Sequence, residues 1–389
     1  PYIFLLLRNA FEQRSRNLAQ AAKMLGASDR KIFWTIHLPL ARPALAIGCT
    51  LVAMESLADY GTVQLFAINT LTTAIYDSWL VYGSLASAAK ISCLTLLFVI
   101  VLVVIEKNSR KKQQHFDSRS QQASKKLPAS NLKTAYIWLI CGLIFCLGFL
   151  IPLLTLIEYC VTYINENLND VVLTHSKSTF LLAAIAALIA TFIALLFNSQ
   201  QRFIPQTSNQ LKLSLSSLGY AIPGTVLAIG ILIPLSQLDL WSNRFITSMG
   251  FDQVGLIFSG TSFALVLAFV IRFAAISNGS IQAAYQRIPN NLDDASKLLK
   301  ASKLKTFSKI HLPIMSPAIL SAFLLVFIEC VKELPASLLL RPFDFETLAT
   351  YVYQFASDEQ LEHAASAALL IIIVSLIPIL LLSRSQKMQ

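Results

Sequence analysis

Charged side chains are scarce in this sequence. Asp, Glu, Lys and Arg make up 13% of its 389 residues, whereas 55% are hydrophobic, and the mean hydropathy is +0.63. Soluble globular domains carry about 25% charged residues. The composition therefore excludes an ordinary soluble domain and favours a membrane protein.

The usual motifs of enzymes and metal sites are also missing. The sequence contains no P-loop, and no nucleophile, base and orienting group share a plausible polar site. Its six cysteines form no CxxC pair and have no histidine at metal-ligand spacing; they are Cys49, Cys93, Cys141, Cys146, Cys160 and Cys330. We expect no enzyme activity, bound cofactor or assigned metal site, and we interpret the cysteines as small core residues.

Long apolar runs are abundant instead. A spanning helix needs about 20 mostly apolar residues to cross roughly 30 Å of hydrocarbon. Five runs of this length contain no Asp, Glu, Lys or Arg: 134–157, 178–201, 213–238, 253–271 and 364–383. Three more qualify with few charges: 83–105 and the runs that start at Pro43 and Pro317. The sequence predicts an all-α polytopic membrane protein with eight full spans.

The first residues form a short apolar stub. The chain opens on Pro1 without an initiator Met, and PYIFLLL is too short to span a membrane or to be a signal peptide. We interpret the stub as the end of a helix whose beginning is missing, and the sequence as a fragment.

The formal charge of +10 is compatible with nucleic-acid binding, so the distribution of the basic residues along the chain must be considered. Of the 31 Lys and Arg residues, 25 lie in five segments: 8–42, 106–133, 198–212, 278–313 and the tail after Ser383. If the eight spans alternate, all five segments face the same side. This asymmetry is typical of cytoplasmic loops, so we expect lipid and not nucleic acid as the partner.

One segment occurs twice. NLAQAAKMLGASDRKIFWTIHLPLARP begins at Asn17, and NLDDASKLLKASKLKTFSKIHLPIMSP begins at Asn291, with a gap-free offset of 274 that pairs Pro39 with Pro313. Six predicted spans lie between the copies. Because six is even, both copies face the cytoplasm, and the two halves are parallel repeats.

Each copy reads as a small helix-turn-helix outside the bilayer. In the first copy, an apolar stripe predicts a short helix: Leu18, Ala21, Ala22 and Leu25. Gly26 can end that helix in a left-handed cap, and Ser28 can cap a second helix through Ile36. Leu38-Pro39 then closes the unit. Such a shape suits docking into a groove on a partner.

These loops resemble the EAA loop of ABC importer permeases, E-A-A-x-x-x-G followed by I-x-L-P. The matching residues of the first copy are Gln20, Ala21, Ala22, Gly26, Leu38 and Pro39; those of the second are Asp294, Ala295, Ser296, Lys300, Leu312 and Pro313. Lys300 stands where the motif has Gly, so we expect the second loop to turn differently or dock more weakly. The alternative is a pair of amphipathic helices resting on lipid.

The resemblance implies a type I (MetI-like) permease fold in the bacterial inner membrane, with six spans per half. Each loop would meet one subunit of a separate ATPase dimer that consumes the ATP. We divide the chain into 1–105, the end of the first half; 106–133, a basic cytoplasmic linker; and 134–389, the second half. By this comparison the first half lacks about three spans and most of a fourth.

Four carboxylates repeat within the membrane. Glu55 and Asp59 lie four apart, hence on one helix face, and the 274 offset carries them onto Glu329 and Glu333. Ionisable groups at this depth usually face a pathway or a partner. They either pair with Lys332, Lys90 or Arg341 and cap helix ends, or line an entrance for a hard cation.

Two further segments resemble ferric-iron ABC importer permeases. They are ESLADYGTVQLFAINTLTTAIYDSW, which starts at Glu55, and KELPASLLLRPFDFETLAT, which starts at Lys332. In that family a periplasmic binding protein delivers the iron and alternating access moves it. We expect both segments to fold back against the bundle and to contact the binding protein, with Arg341 and residues 358–362 as polar contacts or as solvated charge. Import of thiamine or another small solute, and secondary transport, remain alternatives.

Overall fold

The computed structural model describes residues 2–12, 17–113, 131–164 and 170–387, and every regular element there is helical. Eight helical segments are long and apolar enough to span a membrane, which confirms the predicted number. They are Asp29–Ala58, Leu85–Ile105, Thr134–Thr162, Asp170–Phe203, Gly224–Ser248, Ser262–Arg287, Lys303–Val331 and Leu361–Pro378.

The described α-helices are α1 (Tyr2–Glu12), α2 (Asn17–Met24), α3 (Asp29–Ile32), α4 (Leu38–Ala58), α5 (Gly61–Leu65), α6 (Leu71–Tyr76), α7 (Leu85–Gln113), α8 (Asn131–Phe145), α9 (Ile151–Thr162), α10 (Asp170–Phe203), α11 (Thr207–Ser216), α12 (Gly224–Ser248), α13 (Ser262–Arg287), α14 (Asn290–Leu298), α15 (Lys303–Thr306), α16 (Leu312–Val331), α17 (Pro335–Leu340), α18 (Leu348–Ser357) and α19 (Leu361–Lys387). Single π-helical turns connect several of them: Phe33–His37, Asp77–Val81, Cys146–Leu150 and Phe307–His311. The apolar stub lies in α1.

Two spans are shifted along the chain from their predicted bounds. The run 213–238 becomes α12, Gly224–Ser248, and the run 253–271 becomes α13, Ser262–Arg287. Pro223 sets the start of α12 because it stands at the N-cap of that helix. Asp239 does not end α12, because its buried carboxylate accepts the backbone N–H groups of Phe258 and Ser259, both at 2.8 Å.

The chain forms two compact units. One comprises Pro1–Asp59 and Cys93–Leu150, and the other comprises Tyr60–Ser92 and Ile151–Gln389. In the first unit α1 packs against α4. A Cβ on Gly48 would lie 3.0 Å from Ile3, so the glycine allows the two helices to approach closely.

The core of the second unit lies where α10, α13 and α16 pack against one another. Small residues at helical spacing form the buried face of α10: Ala183, Ala186, Ala187, Ala190 and Ala194. Lipid is as apolar as a side chain, so close van der Waals contact must hold these helices together, and small residues permit it. Phe269 and Phe273 of α13 are also almost fully buried.

The outer segments fold back as predicted. Ala336, Leu339 and Leu340 of α17 are buried, as are Tyr60 and Ile75 of the earlier segment, and α12 packs against both α17 and α6. Backbone at this depth needs such cover, since lipid offers no hydrogen-bond partner.

Two further expectations fare differently. Of the six cysteines only Cys330 is buried, and the core interpretation is wrong for Cys49, Cys93 and Cys141, which are exposed. In the predicted linker, residues 106–113 belong to α7 and 131–133 to α8, while 114–130 lie outside the described residues. The three-part division of the chain stays a prediction.

Candidate functional site: docking loops and membrane carboxylates

The first docking loop consists of α2, a tight turn and α3. Gly26 has a φ of +80°, and the backbone N–H of Ala27 donates to the Ala22 carbonyl at 3.0 Å across the turn. The Ser28 hydroxyl accepts the backbone N–H of Lys31 at 3.4 Å and caps α3. The predicted left-handed cap at Gly26 and the predicted N-cap at Ser28 are both confirmed.

The end of this loop differs from the prediction. We expected a second helix through Ile36 that Leu38-Pro39 would close. Instead, α3 continues through the π-helical turn Phe33–His37 into α4 without a break. Pro39 lies in the first turn of α4, directly after the π-helical turn. The docking loop is therefore joined by continuous helix to a membrane span.

The second loop repeats this backbone at the same offset. The Ser302 hydroxyl accepts the backbone N–H of Lys305 at 3.3 Å, and the N–H of Ala301 donates to the Ser296 carbonyl at 3.1 Å. Lys300 has a φ of +54°. The expectation that Lys300 would turn the loop differently is wrong, because it adopts the left-handed conformation of Gly26. That conformation costs a non-glycine residue roughly 1–2 kcal/mol.

Each loop exposes a pair of large apolar side chains at its tip. Met24 and Leu25 are 90% and 88% exposed, and the equivalent Leu298 and Leu299 are 85% and 83% exposed. The sequence predicts Leu25 on the apolar stripe of the first short helix, and Leu299 is its equivalent at the 274 offset. Neither residue is part of its helix, because α2 ends at Met24 and α14 ends at Leu298. The same apolar knob thus appears twice on the protein surface.

The remaining predicted docking residues lie in the helices that flank each turn. Gln20 and Ala21 belong to α2, and Leu38 and Pro39 begin α4. In the second copy Asp294 and Ala295 belong to α14, and Leu312 and Pro313 begin α16. The Asp294 carboxylate pairs with Lys297 at 3.0 Å, and both side chains are mostly exposed.

A charge cluster built around the buried His311 fixes the second loop to α10. Arg202 Nε donates to Asp293 Oδ2 at 2.7 Å, and His311 Nε2 lies 2.7 Å from Asp293 Oδ1. The His311 ring is completely buried and stacks on Phe203 at 5.2 Å between centroids. Arg202 also donates to the Ile288 carbonyl at 3.0 Å.

Electrostatics keeps the Asp293 carboxyl ionised. Burial raises the pKa of the Asp293 carboxyl, but hydrogen bonds from Arg202 and His311 outweigh it and hold the pKa below its ordinary 3.8. The first copy has Ala19 at the equivalent position. Sequence reasoning missed the cluster, although the Ala19–Asp293 mismatch between the copies marked the position.

A second difference lies between the two short helices. The buried hydroxyls of Ser296 and Thr306 hydrogen-bond to each other in the second loop. The equivalent residues of the first loop are Ala22 and the buried Ile32, which have no hydroxyl. The helix contact is therefore polar in one copy and apolar in the other.

The four membrane carboxylates have unequal environments. Glu333 is buried, and its Oε1 lies 3.0 Å from Arg272 Nη1. Glu329 pairs with Lys332 at 2.9 Å in a more exposed position. Glu55 is exposed and Asp59 is half-buried. Pairing with Lys332 was one of the predicted alternatives, whereas the Arg272 partner was not predicted.

The helix ends also correct the geometry of these pairs. α4 ends at Ala58 and α16 ends at Val331. Asp59 and Glu333 therefore follow the helices and do not share a helix face with Glu55 and Glu329.

Gly224 makes room for the Arg272–Glu333 pair. A Cβ at this position would lie 2.1 Å from Arg272 Nη1 and 2.5 Å from Glu333 Oε1. Only glycine fits there with the pair in place. Arg341, another predicted partner of the carboxylates, instead pairs with Glu346.

Comparison with known proteins gives consistent matches. The family described as "Binding-protein-dependent transport system inner membrane component" matches residues 1–114 and 205–389. The chain is 25% identical to the Fe(3+)-transport system permease protein FbpB 2 of Haemophilus influenzae, over 99% of this chain and 74% of the relative. It is also 25% identical to the ferric transport system permease protein FbpB of Actinobacillus pleuropneumoniae, over 98% of this chain and 56% of the relative.

A solved structure has the same fold. It is a bacterial ABC transporter involved in the import of the acidic polysaccharide alginate, with a TM-score of 0.50 and 16% identity, and the match covers 66% of this chain and 95% of that chain. The fold is the two-half, parallel-repeat permease fold expected from the duplicated loops.

Proposed function

Because the chain belongs to the family of binding-protein-dependent transport system inner membrane components, we propose that it is the permease subunit of an ABC importer for ferric iron. It is a multi-pass inner-membrane protein whose relatives are transport subunits. The observation that supports the cargo is the match to two ferric-iron permeases over nearly the whole chain.

The docking loops are the proposed contacts with an ATPase dimer. Each presents an exposed apolar pair, Met24–Leu25 or Leu298–Leu299, on the same backbone turn. Two equivalent knobs suit two equivalent grooves, as a symmetric dimer offers. A lipid surface would not require the gap-free repeat of the turn.

Motion of the ATPase subunits would reach the membrane through continuous helix. α3 passes into α4, and α15 passes into α16, through one π-helical turn each. ATP-driven closure that moves the loops therefore also moves the spans, which is the requirement for alternating access. A periplasmic binding protein would deliver iron to the outer segments, where Arg341 and residues 358–362 offer charge.

The carboxylates are the proposed pathway residues, with unequal roles. Glu55 is exposed and Asp59 half-buried, and Glu329 is partly exposed, so these can attract a hard cation. Glu333 is neutralised by Arg272 and positions the end of α16. Replacing Glu55 and Glu329 by Gln should reduce iron uptake in a protein that stays folded; unchanged uptake would remove them from the pathway.

The cargo is tested through the binding protein. We expect the cognate periplasmic protein to be purified with ferric iron and to drive iron uptake through the complete transporter. A binding protein that carries thiamine or another organic solute, and drives uptake of that solute alone, would overturn the iron assignment while leaving the permease assignment intact.

A further inference from the structure

Three tyrosines meet in the outer part of the second unit. The Tyr60 side chain is 1% exposed, and its Oη lies 3.1 Å from the Oη of Tyr353. Its ring centroid is 4.6 Å from that of Tyr76 and 5.6 Å from that of Tyr353. Phenols are amphipathic and usually pair their hydroxyls when buried, and here the hydroxyls of Tyr60 and Tyr353 are paired beside the Tyr76 ring.

Two of these tyrosines are equivalent in the internal repeat. The pattern T-L-x-T-x-x-Y occupies residues 70–76 and again 347–353. In both places the first Thr caps a helix and forms a capping box with the second Thr. The offset here is 277, because the outer segment of the second half is three residues longer. Tyr76 and Tyr353 thus occupy the same position in the two halves.

Their shared neighbour places them near the axis of the repeat. Parallel repeats are related by an axis along the membrane normal, and transport sites lie where the repeats meet. Two equivalent side chains can both contact a single residue only if they lie close to that axis. Since Tyr76 and Tyr353 both contact Tyr60, the cluster joins equivalent positions of the two halves.

We propose that Tyr60, Tyr76 and Tyr353 bind the ferric cargo through their phenol oxygens as it enters the permease. The proposal rests on the proposed function. Ferric iron is a hard cation and prefers oxygen ligands. Within the described ranges no three His, Cys, Asp or Glu side chains are grouped so as to hold a metal ion, whereas the phenol oxygens of Tyr60 and Tyr353 lie 3.1 Å apart and the Tyr76 ring packs against Tyr60.

The geometry of the site fits transient binding. The Tyr60 side chain is buried, and its hydroxyl is hydrogen-bonded to that of Tyr353. On binding, each coordinating phenol loses its proton to water, and its oxygen replaces a water or carrier ligand on the iron, so that one iron–ligand bond breaks as another forms and the iron remains ferric. The cost of ionising buried phenols weakens the complex, as a site on a transport route requires.

A carboxylate stands beside the cluster. Glu346 pairs with Arg341 and accepts a hydrogen bond from Thr350 Oγ1 at 2.6 Å. Arg341 also acts on Tyr76, where its positive charge opposes the effect of burial on the phenol pKa. Release of Glu346 from Arg341 would supply a further oxygen ligand.

The experiment uses the complete permease with its ATPase, without the binding protein, titrated with ferric citrate. Phenolate bound to ferric iron gives a charge-transfer band in visible light. We expect the band in the wild type and in Tyr82→Phe, a control whose ring is 77% exposed, and its loss in Tyr60→Phe and Tyr353→Phe. In a second assay the binding protein supplies the iron. Iron uptake should then fall at least tenfold in both variants, while the binding protein still stimulates the ATPase.

Absence of the band in the wild type would overturn the proposal, as would wild-type iron uptake by Tyr60→Phe and Tyr353→Phe. Loss of uptake together with loss of ATPase stimulation in both variants would show a structural role and would also overturn it. The proposed function fails differently, because a wild-type transporter that moves another solute and no iron contradicts the cargo whatever the band shows.

Discussion

The two docking loops have the same backbone but different attachments. Both turn through a left-handed residue and cap the next helix with Ser. In the first loop Lys23 pairs with Asp29 at 2.6 Å on the surface, where water screens the attraction. In the second loop the partly buried Asp293 lies between Arg202 and His311. A duplicated motif thus preserves its shape while the charge pairs around it differ.

The difference suggests a division of labour. A partly buried, hydrogen-bonded charge cluster fixes the second loop to α10 in one orientation, whereas the Lys23–Asp29 pair joins two helices within the first loop. We therefore expect the second loop to transmit ATPase movement more rigidly than the first.

Removing the charge cluster should have the largest effect. Asp293→Ala leaves the buried His311 and the partly buried Arg202 without their shared acceptor, which should cost about 3 kcal/mol or more and lower Tm by roughly 10 °C. Thermal unfolding in detergent measures it. Asp294→Ala is the matched control, since the neighbouring pair with Lys297 is exposed and should change Tm little. Equal effects of the two variants would contradict this role of the cluster.

The membrane carboxylates give the next largest contrast. Glu333→Gln leaves the buried Arg272 without a charged partner and should destabilise by about 3 kcal/mol. Glu329→Gln breaks only a more exposed pair with Lys332 and should cost less than about 1 kcal/mol. The Tm values of the two variants measure this difference. A larger decrease in Tm for Glu329→Gln would contradict the structural role given to the Arg272–Glu333 pair.

Acid should remove the difference between wild type and an Asp293 variant. The folded pKa of Asp293 is below its ordinary 3.8, so its stabilisation is complete above that value and is lost as pH falls through the folded pKa. The Tm gap between wild type and Asp293→Asn should stay constant from about pH 8 to 5 and narrow below about pH 4. A gap that already closes between pH 7 and 5 would point to another titrating group.

Exchanging the turn residues should give the smallest effect. Lys300→Gly relieves the left-handed strain and should stabilise by about 1 kcal/mol, and Gly26→Lys should destabilise by a similar amount. A Cβ at Gly26 meets no atom within 4 Å, so no steric clash confuses the comparison. Opposite signs of the change in Tm are expected, and equal signs would contradict a shared backbone turn.

Local patterns in the sequence predicted the spans and the docking turns well. Apolar run length determines a span, and Gly26 and Ser28 act through backbone geometry that depends on few neighbours. The pairs Arg272–Glu333 and Arg202–Asp293 were missed because each joins residues that lie 60 or more positions apart, which no local periodicity encodes. The exposure of Leu25 and Leu299 at the loop tips was not predicted. An error of one residue in the position of a helix end is enough to move a side chain from the packed face to the exposed surface.

The central claim of the proposed function is that ATP drives iron transport through the docking loops, and an uptake assay tests it directly. Radioactive ferric iron uptake would be measured in liposomes that contain the complete transporter, the loaded binding protein and either ATP or none, with Leu298→Asp/Leu299→Asp as the variant that places charge on one docking knob. We predict uptake only with ATP and its loss in the variant while ATP-independent binding of the loaded binding protein persists. Uptake at the same rate without ATP, or in the variant, would contradict an ABC permease driven through these loops.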